Sequence, residues 1–131
     1  MSQRDVVLRW IEQLGLVVAR LLHGPGAADL ALAESQVRDA LTRILGPLAE
    51  TIPRLDVASS AGLLHDPERV YGYARLLGLL AAIEQADGRP GFAETRQRAE
   101  AMAREAVRLS VSPPAEWVAW IEELGAAGAR S

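Results

Sequence analysis

The stretch HDPERVYGYAR, residues 65–75, gathers most of the groups in this chain that could do chemistry. It holds the imidazole of His65, the carboxylates of Asp66 and Glu68, the phenols of Tyr71 and Tyr73, and the guanidiniums of Arg69 and Arg75. An imidazole beside carboxylates can serve as a general base or as part of a metal site. Phenols and guanidiniums near a helix start, where backbone amides point outward, suit an anionic ligand. On these grounds His65, Glu68, Tyr71, Tyr73 and Arg75 form the candidate ligand-binding set.

Each chemical reading has a plainer competitor. His23 and His65 both follow a Leu-Leu pair at an expected helix end, where an imidazolium complements the negative end of the helix dipole. A metal needs several convergent ligands, which two isolated histidines lack, so no metal ligand and no catalytic residue is assigned. Ser59 and Ser60 have no strand to hold a strained nucleophile elbow and read as cap and turn residues. Gly72, Gly78 and Gly88 lack phosphate-loop spacing; the first two fall inside a helix, where they permit close helix approach. Arg96, Arg98, Arg104 and Arg108 share one helix with interleaved acids and read as a solvated face.

Composition narrows the classes further. Cysteine is absent, which removes disulfides, thiolate metal sites and cysteine nucleophiles. All 14 basic residues are arginine, a bias that a GC-rich genome explains without selection for phosphate binding. The net charge of −3 argues against a nucleic-acid coat, which would present a basic surface. The start, MSQRDVVLRW, lacks the apolar run of a signal peptide, and the longest apolar run, Leu14 to Leu22, is broken by Arg20 and too short to span a membrane. A soluble cytoplasmic protein is expected, with no cofactor, no nucleic acid and no membrane. With 131 residues the chain fits a single domain, 1–131, and only 5% of it is aromatic, so the core must be aliphatic.

The elements that would position these groups are helices. Apolar residues from Val7 to Leu22 recur at helical spacing, with Ser2 and Asp5 at the start and Gly24 and Pro25 as the stop. A second helix runs from about Asp29 until Pro47 ends it near Gly46. A short helix is expected at 57–64. Asp66 then Pro67, a cap followed by a first-turn proline, opens a helix to about Asp87. Residues 92–109 form the next, with Phe92, Ala99, Met102, Ala103, Ala106 and Leu109 inward and the pairs Glu94–Arg98 and Glu100–Arg104 outside. Ser112 and Pro113 open the last, and GAAGARS is a fraying tail. No strand pattern persists, so the fold class is all-α, about five helices in one bundle.

Residues 77–109, with Leu77, Leu80, Ala81, Gly88, Ala99 and Ala106 near the expected positions, resemble a tetratricopeptide-type helical hairpin. The turn RPGFAETR is longer than that repeat allows, and no second copy follows. RDVVLRWIEQLG together with LDVASSAGLLHDPERVYGYARLLGLLAAIEQADG is similar to an uncharacterised family of small helical bacterial proteins. The resemblance implies an antiparallel tetratricopeptide-like hairpin over about 67–109 and carries no activity.

RWIEQLG at 9–15 returns as AWIEELG at 119–125. On a helix the Trp, Ile and Leu of each copy share a face and the acids point away, so the phrase reads as a packing motif used twice. The run Leu76 to Ile83 is apolar on nearly every side and should be the central helix. Helix one is similarly apolar from Leu14 to Leu22, and a chain this small has little room to enclose two such helices. One of its faces is therefore expected to meet an identical chain across a two-fold axis, through Gly15, Leu16, Val17 and Arg20. The leading expectation is a non-enzymatic, self-associating interaction module, a homodimer with a possible protein partner. The alternative is a small-ligand-binding protein or enzyme with a cleft near Tyr71, Tyr73 and His65.

Overall fold

Six α-helices make up most of the residues that the computed structural model describes, 3–23 and 26–130. They are α1 (Gln3–Leu22), α2 (Ala27–Leu45), α3 (Val57–Leu64), α4 (Pro67–Ala86), α5 (Phe92–Leu109) and α6 (Ala115–Arg130), with 3-10 turns at Gly46–Leu48 and Ile52–Arg54. No strand occurs among the described residues. The count is six rather than about five: the short helix expected at 57–64 is present, capped by Asp56, beside five longer ones. Ser2, Gly24 and Pro25, and the side chain of Asp5, lie outside what is described.

The helix boundaries follow local chemistry. α2 stops where Pro47 withdraws a backbone donor, and Gly46 turns the chain at φ 56°, a conformation a side chain would strain. α3 starts at Asp56, whose carboxylate accepts from the Ser59 amide at 2.7 Å. α4 starts at Asp66, which accepts from the Glu68 amide at 3.2 Å, with Pro67 in the first turn. α6 departs from expectation at both ends. Because a residue before proline is driven out of the helical region, Pro113 cannot open a helix ahead of Pro114, and the helix begins at Ala115. At the other end it continues through the expected tail to Arg130, since Gly125 and Gly128 lie against α5 and the Ala127 carbonyl accepts from Arg96 at 3.4 Å.

α4 is the central element. It packs against α5 along most of its length, and against α1, α2 and α3. Val70, Tyr71, Tyr73, Ala74, Leu76, Leu77, Leu80, Ala81 and Ile83 are buried, covering nearly every side of the helix. α6 packs on α5 and sends its tryptophan rings over to α4. Trp10, early in α1, meets Arg43, late in α2, so these two helices run in opposite directions.

Two of α4's glycines make these approaches possible. A methyl on Gly72 would lie 2.5 Å from Cδ1 of Ile44 and 3.1 Å from Cδ1 of Ile11. One on Gly78 would lie 2.7 Å from the Trp120 ring. Burial of the neighbours offsets the poor helix propensity of glycine at both positions.

Candidate functional site

The five expected ligand-site residues do not meet in one place. Tyr71 and Tyr73, two residues apart on α4, project to nearly opposite sides of the helix. Tyr71 turns toward α6, where it stacks on Trp117 with ring centroids 4.3 Å apart and meets Trp120 edge-on at 5.8 Å. Arg75 joins that group: its guanidinium lies 4.9 Å above the Trp120 ring and donates to the Tyr71 hydroxyl at 3.3 Å. Burial pushes the Tyr71 phenol above its usual pKa, against the opposing effect of Arg75. Three aromatic rings and a cation thus form a packed junction between α4 and α6.

His65 stands apart and exposed. It ends α3 in a left-handed conformation, φ 49°, with its amide donating to the Ala61 carbonyl at 2.8 Å. Glu68 lies on the far side of α4's first turn. It lines a cleft of about 260 Å³ with Val7, Trp10, Arg43, Ile44, Asp66 and Arg69. Arg69 is engaged at the end of α2, donating to the carbonyls of Ile44 at 2.8 Å and Leu45 at 2.9 Å, where the helix gives way to a 3-10 turn.

Tyr73 faces a different cleft, between α2 and α5, floored by α4. This cleft, of about 350 Å³, has Leu41, Leu45, Leu77 and Leu80 as apolar lining and Arg38, Thr42, Thr95 and Arg98 as polar groups. Arg98 overturns the surface-pair expectation. Instead of reaching Glu94 it turns inward and donates to the carbonyls of Leu55 at 2.9 Å and Ile52 at 3.0 Å, the Ser60 hydroxyl at 3.1 Å and the Tyr73 hydroxyl at 3.4 Å. An exposed i,i+4 pair contributes about 0.3–0.5 kcal/mol, whereas four part-buried hydrogen bonds from a charged donor contribute more, so the inward position wins. Ser60 is fully buried and donates to the Ile52 carbonyl, and Ser59 caps α3.

Arg96 also leaves the solvated face: it is 9% exposed, donates to Gln85 Oε1 at 2.6 Å and lies over the Phe92 ring at 5.3 Å. Phe92 is half-buried at the start of α5 rather than in the core, and helps line a third cleft, of about 330 Å³, with Arg96, Glu100 and Leu124. Arg104 keeps the expected pair with Glu100, at 2.9 Å, and Arg108, exposed as expected, pairs with Glu105 at 2.6 Å.

Beside the α2–α5 cleft, Glu34 accepts from two cations, Arg38 at 2.9 Å and Arg89 in bidentate fashion, one bond at 3.0 Å. Those bonds, Arg89's first, hold the Glu34 carboxylate down to a pKa of about 2. Sequence reasoning missed this tie because its members lie on α2 and in the connection before α5. Among the described residues no three His, Asp or Glu side chains gather as a metal ion would require, and no helix is long and apolar enough to cross a membrane.

The residues expected at a dimer surface divide as well. Leu16 is 63% exposed and Val17 38%, and Arg20 is exposed with them. Gly15 turns the other way, 3.8 Å from Leu79 of α4 as measured to a methyl built on it.

No family model matches this chain, and no curated protein or solved structure matches it.

Proposed function

We propose that this chain is a helical protein-interaction module, working without catalysis, that self-associates through α1 into a homodimer. In this reading residues 67–109 act as a tetratricopeptide-like hairpin within a helical bundle, as in the small bacterial proteins the sequence resembles. The observation that carries it is the exposed Leu16–Val17 pair on the outer side of α1. Ile11, Leu14 and Val18 are buried, yet Val6, Leu16 and Val17 on the same helix are 55%, 63% and 38% exposed. Large apolar side chains grouped on one helix mark interaction surfaces far more than scattered ones do.

The polar residues around Leu16 favour a second copy as the partner. Glu12, Leu16 and Arg20 form one i,i+4 row on the exposed side. If two α1 helices cross antiparallel at Leu16, the leucines meet and each Glu12 faces the other copy's Arg20. A stable interface buries on the order of 1,200 Å² or more, beyond what one helix face supplies. Leu32 of α2, 49% exposed, extends the surface. Trp10 and Leu21 are spaced as Arg43 and Leu32 are, so Leu32 lies along the seam that Trp10 and Arg43 share.

Sedimentation equilibrium at micromolar concentration tests the reading. Wild type is expected to be dimeric, Leu16→Glu monomeric and still helical, and Arg20→Glu weakened. The double variant Glu12→Arg with Arg20→Glu should regain the dimer, because the row is self-complementary again. A monomeric wild type would overturn the proposal.

A further inference from the structure

The α2–α5 cleft is distinct from the α1 surface, and no α1 residue lines it. Of the three clefts it alone has guanidinium groups in its lining and no carboxylate. Asp66 and Glu68 face Arg43 and Arg69 in the first, and Glu100 faces Arg96 in the second. In a chain of net charge −3 that local excess of positive charge needs a physical account.

Arg98 supplies the central part of it. Its guanidinium is part-buried, and every hydrogen-bond partner it has among the described residues is a neutral oxygen. Those bonds engage four of its five N–H groups. Its charge helps to lower the pKa of Asp56, behind the larger effect of the Ser59 hydrogen bonds, but no carboxylate bonds to it. At the rim Arg38 shares the Glu34 carboxylate with Arg89, so its charge is only partly balanced. Tyr73, 2% exposed, accepts from Arg98 through its oxygen, and its own hydrogen meets no acceptor among the described residues. Thr42 and Thr95 bring no donor, because their hydroxyls already donate to the carbonyls of Arg38 and Gly91 at 3.1 and 3.2 Å. The donors available to a guest are therefore Arg38, Arg98 and the Tyr73 hydroxyl, all suited to an anion. Below them lie Leu41, Leu45, Leu77 and Leu80, which no anion alone would contact.

From this arrangement we propose that the cleft binds a small aliphatic carboxylate, with its charged head between Arg38, Arg98 and Tyr73 and its chain along the leucines of α2 and α4. The volume of about 350 Å³ falls at the small end of ligand pockets, which run from roughly 300 to 1,000 Å³, so the guest is a short-chain acid rather than a folded segment. Recognition divides into two parts. The guanidiniums and phenol set the requirement for an anion, and the leucines reward chain length. Each added methylene should tighten binding about fourfold until the cleft is full.

Isothermal titration calorimetry with butanoate, hexanoate and octanoate, and with 1-octanol as the uncharged counterpart, tests the site in the full chain. Octanoate is expected to bind at least tenfold more tightly than 1-octanol, with affinity rising along the acid series. Arg38→Gln and Tyr73→Phe should each weaken octanoate several-fold and leave 1-octanol unchanged. Leu77→Trp, which fills the floor, should abolish both. Far-ultraviolet circular dichroism on each variant confirms that the helices are retained, and Arg38, exposed at the rim, can be changed without disturbing the core. No heat from octanoate at millimolar concentration, equal binding of octanoate and 1-octanol, or unaltered octanoate binding in both Arg38→Gln and Tyr73→Phe would overturn the proposal.

Discussion

The two copies of the tryptophan phrase, at residues 10–15 on α1 and 120–125 on α6, both reach α4 and do different work. Ile11 and Ile121 are both buried, while Glu12, Gln13, Glu122 and Glu123 are exposed. Each copy meets α4 at a glycine, Ile11 against Gly72 and Trp120 against Gly78. Each tryptophan has an arginine over its ring, Arg43 at 5.7 Å and Arg75 at 4.9 Å. The surroundings then diverge. Trp120 belongs to a ring junction with Trp117 and Tyr71, whereas Trp10 lines an open cleft. After the phrase, Leu16 and Val17 stay exposed, but Ala127 gives its carbonyl to Arg96. Helical periodicity fixes which side of a helix turns inward, and the neighbouring helices decide how much that side carries.

The largest expected effect separates the two tryptophans. Trp120→Ala should cost about 3 kcal/mol, near the lower end of the usual range for removing a packed Trp, because it opens the ring junction and removes the ring beneath Arg75. Trp10→Ala should cost about 1 kcal/mol, since one side of that ring already faces a cleft. Urea unfolding followed by circular dichroism measures both. Equal losses would mean that the two copies are energetically alike despite their surroundings.

The glycines sharpen the same contrast. Alanine gains about 1 kcal/mol of helix propensity over glycine, which opposes any clash. At Gly78 the new methyl would press on the Trp120 indole at 2.7 Å, a rigid ring held among other rings. Overpacking there should outweigh propensity, for a net loss of about 1–2 kcal/mol. At Gly72 the obstacle is the Cδ1 end of Ile44, at 2.5 Å, which can rotate away, so a net change within about 0.5 kcal/mol of zero is expected. A Gly78→Ala variant more stable than Gly72→Ala would reverse the assignment of which contact is rigid.

Much of this was readable before the structure. The all-round apolar run from Leu76 to Ile83 marked α4 as central, and Asp66 with Pro67 marked its start. The common facing of Trp-Ile-x-x-Leu was legible from periodicity alone. The ligand-site set was not. Tyr71 and Tyr73 are neighbours in sequence, and neighbours two apart on a helix cannot share a cleft, a constraint their types concealed. Arg96 and Arg98 flank the buried stripe of Ala99 and Ala103 and sit at its edge. Whether an arginine at such an edge turns out to solvent or in to a carbonyl depends on which loop ends nearby, and the Ile52 and Leu55 carbonyls become neighbours only on folding. The continuation of α6 past Gly125 likewise depends on α5 beneath it.

Acid should loosen one side of the comparison and spare the other. The α2 side is tied to the connection before α5 by Glu34 and Arg89, whereas the Tyr71–Trp117 junction is held by rings. The folded-state pKa of Glu34 is lowered from 4.5 to about 2, so its stabilisation is complete above about pH 4.5 and is lost as pH falls toward 2. Compared by urea unfolding, wild type should exceed Glu34→Gln at neutral pH by a constant margin that shrinks below pH 4.5. A margin independent of pH down to 2 would mean that the bonds to Arg38 and Arg89 do not depend on the charge of Glu34.

The smallest effect comes from a second repeated phrase, the Leu-Leu-His that ends both α1 and α3. His65 holds φ 49°, a left-handed conformation that costs a residue with a side chain about 1 kcal/mol and glycine almost nothing. His23 donates its amide to the Arg20 carbonyl at 3.2 Å and is not among the residues with positive φ. Glycine at 65 relieves that cost but gives up the contact between the imidazole and the Leu64 carbonyl, so His65→Gly should stabilise by about 0.5 kcal/mol. Glycine at 23 relieves nothing and adds backbone freedom to the unfolded chain, so His23→Gly should destabilise by about 0.5 kcal/mol. Thermal unfolding of the two variants, monitored in parallel, should show midpoints moving in opposite directions. A common direction would place the difference between these helix ends in the imidazoles rather than in the backbone.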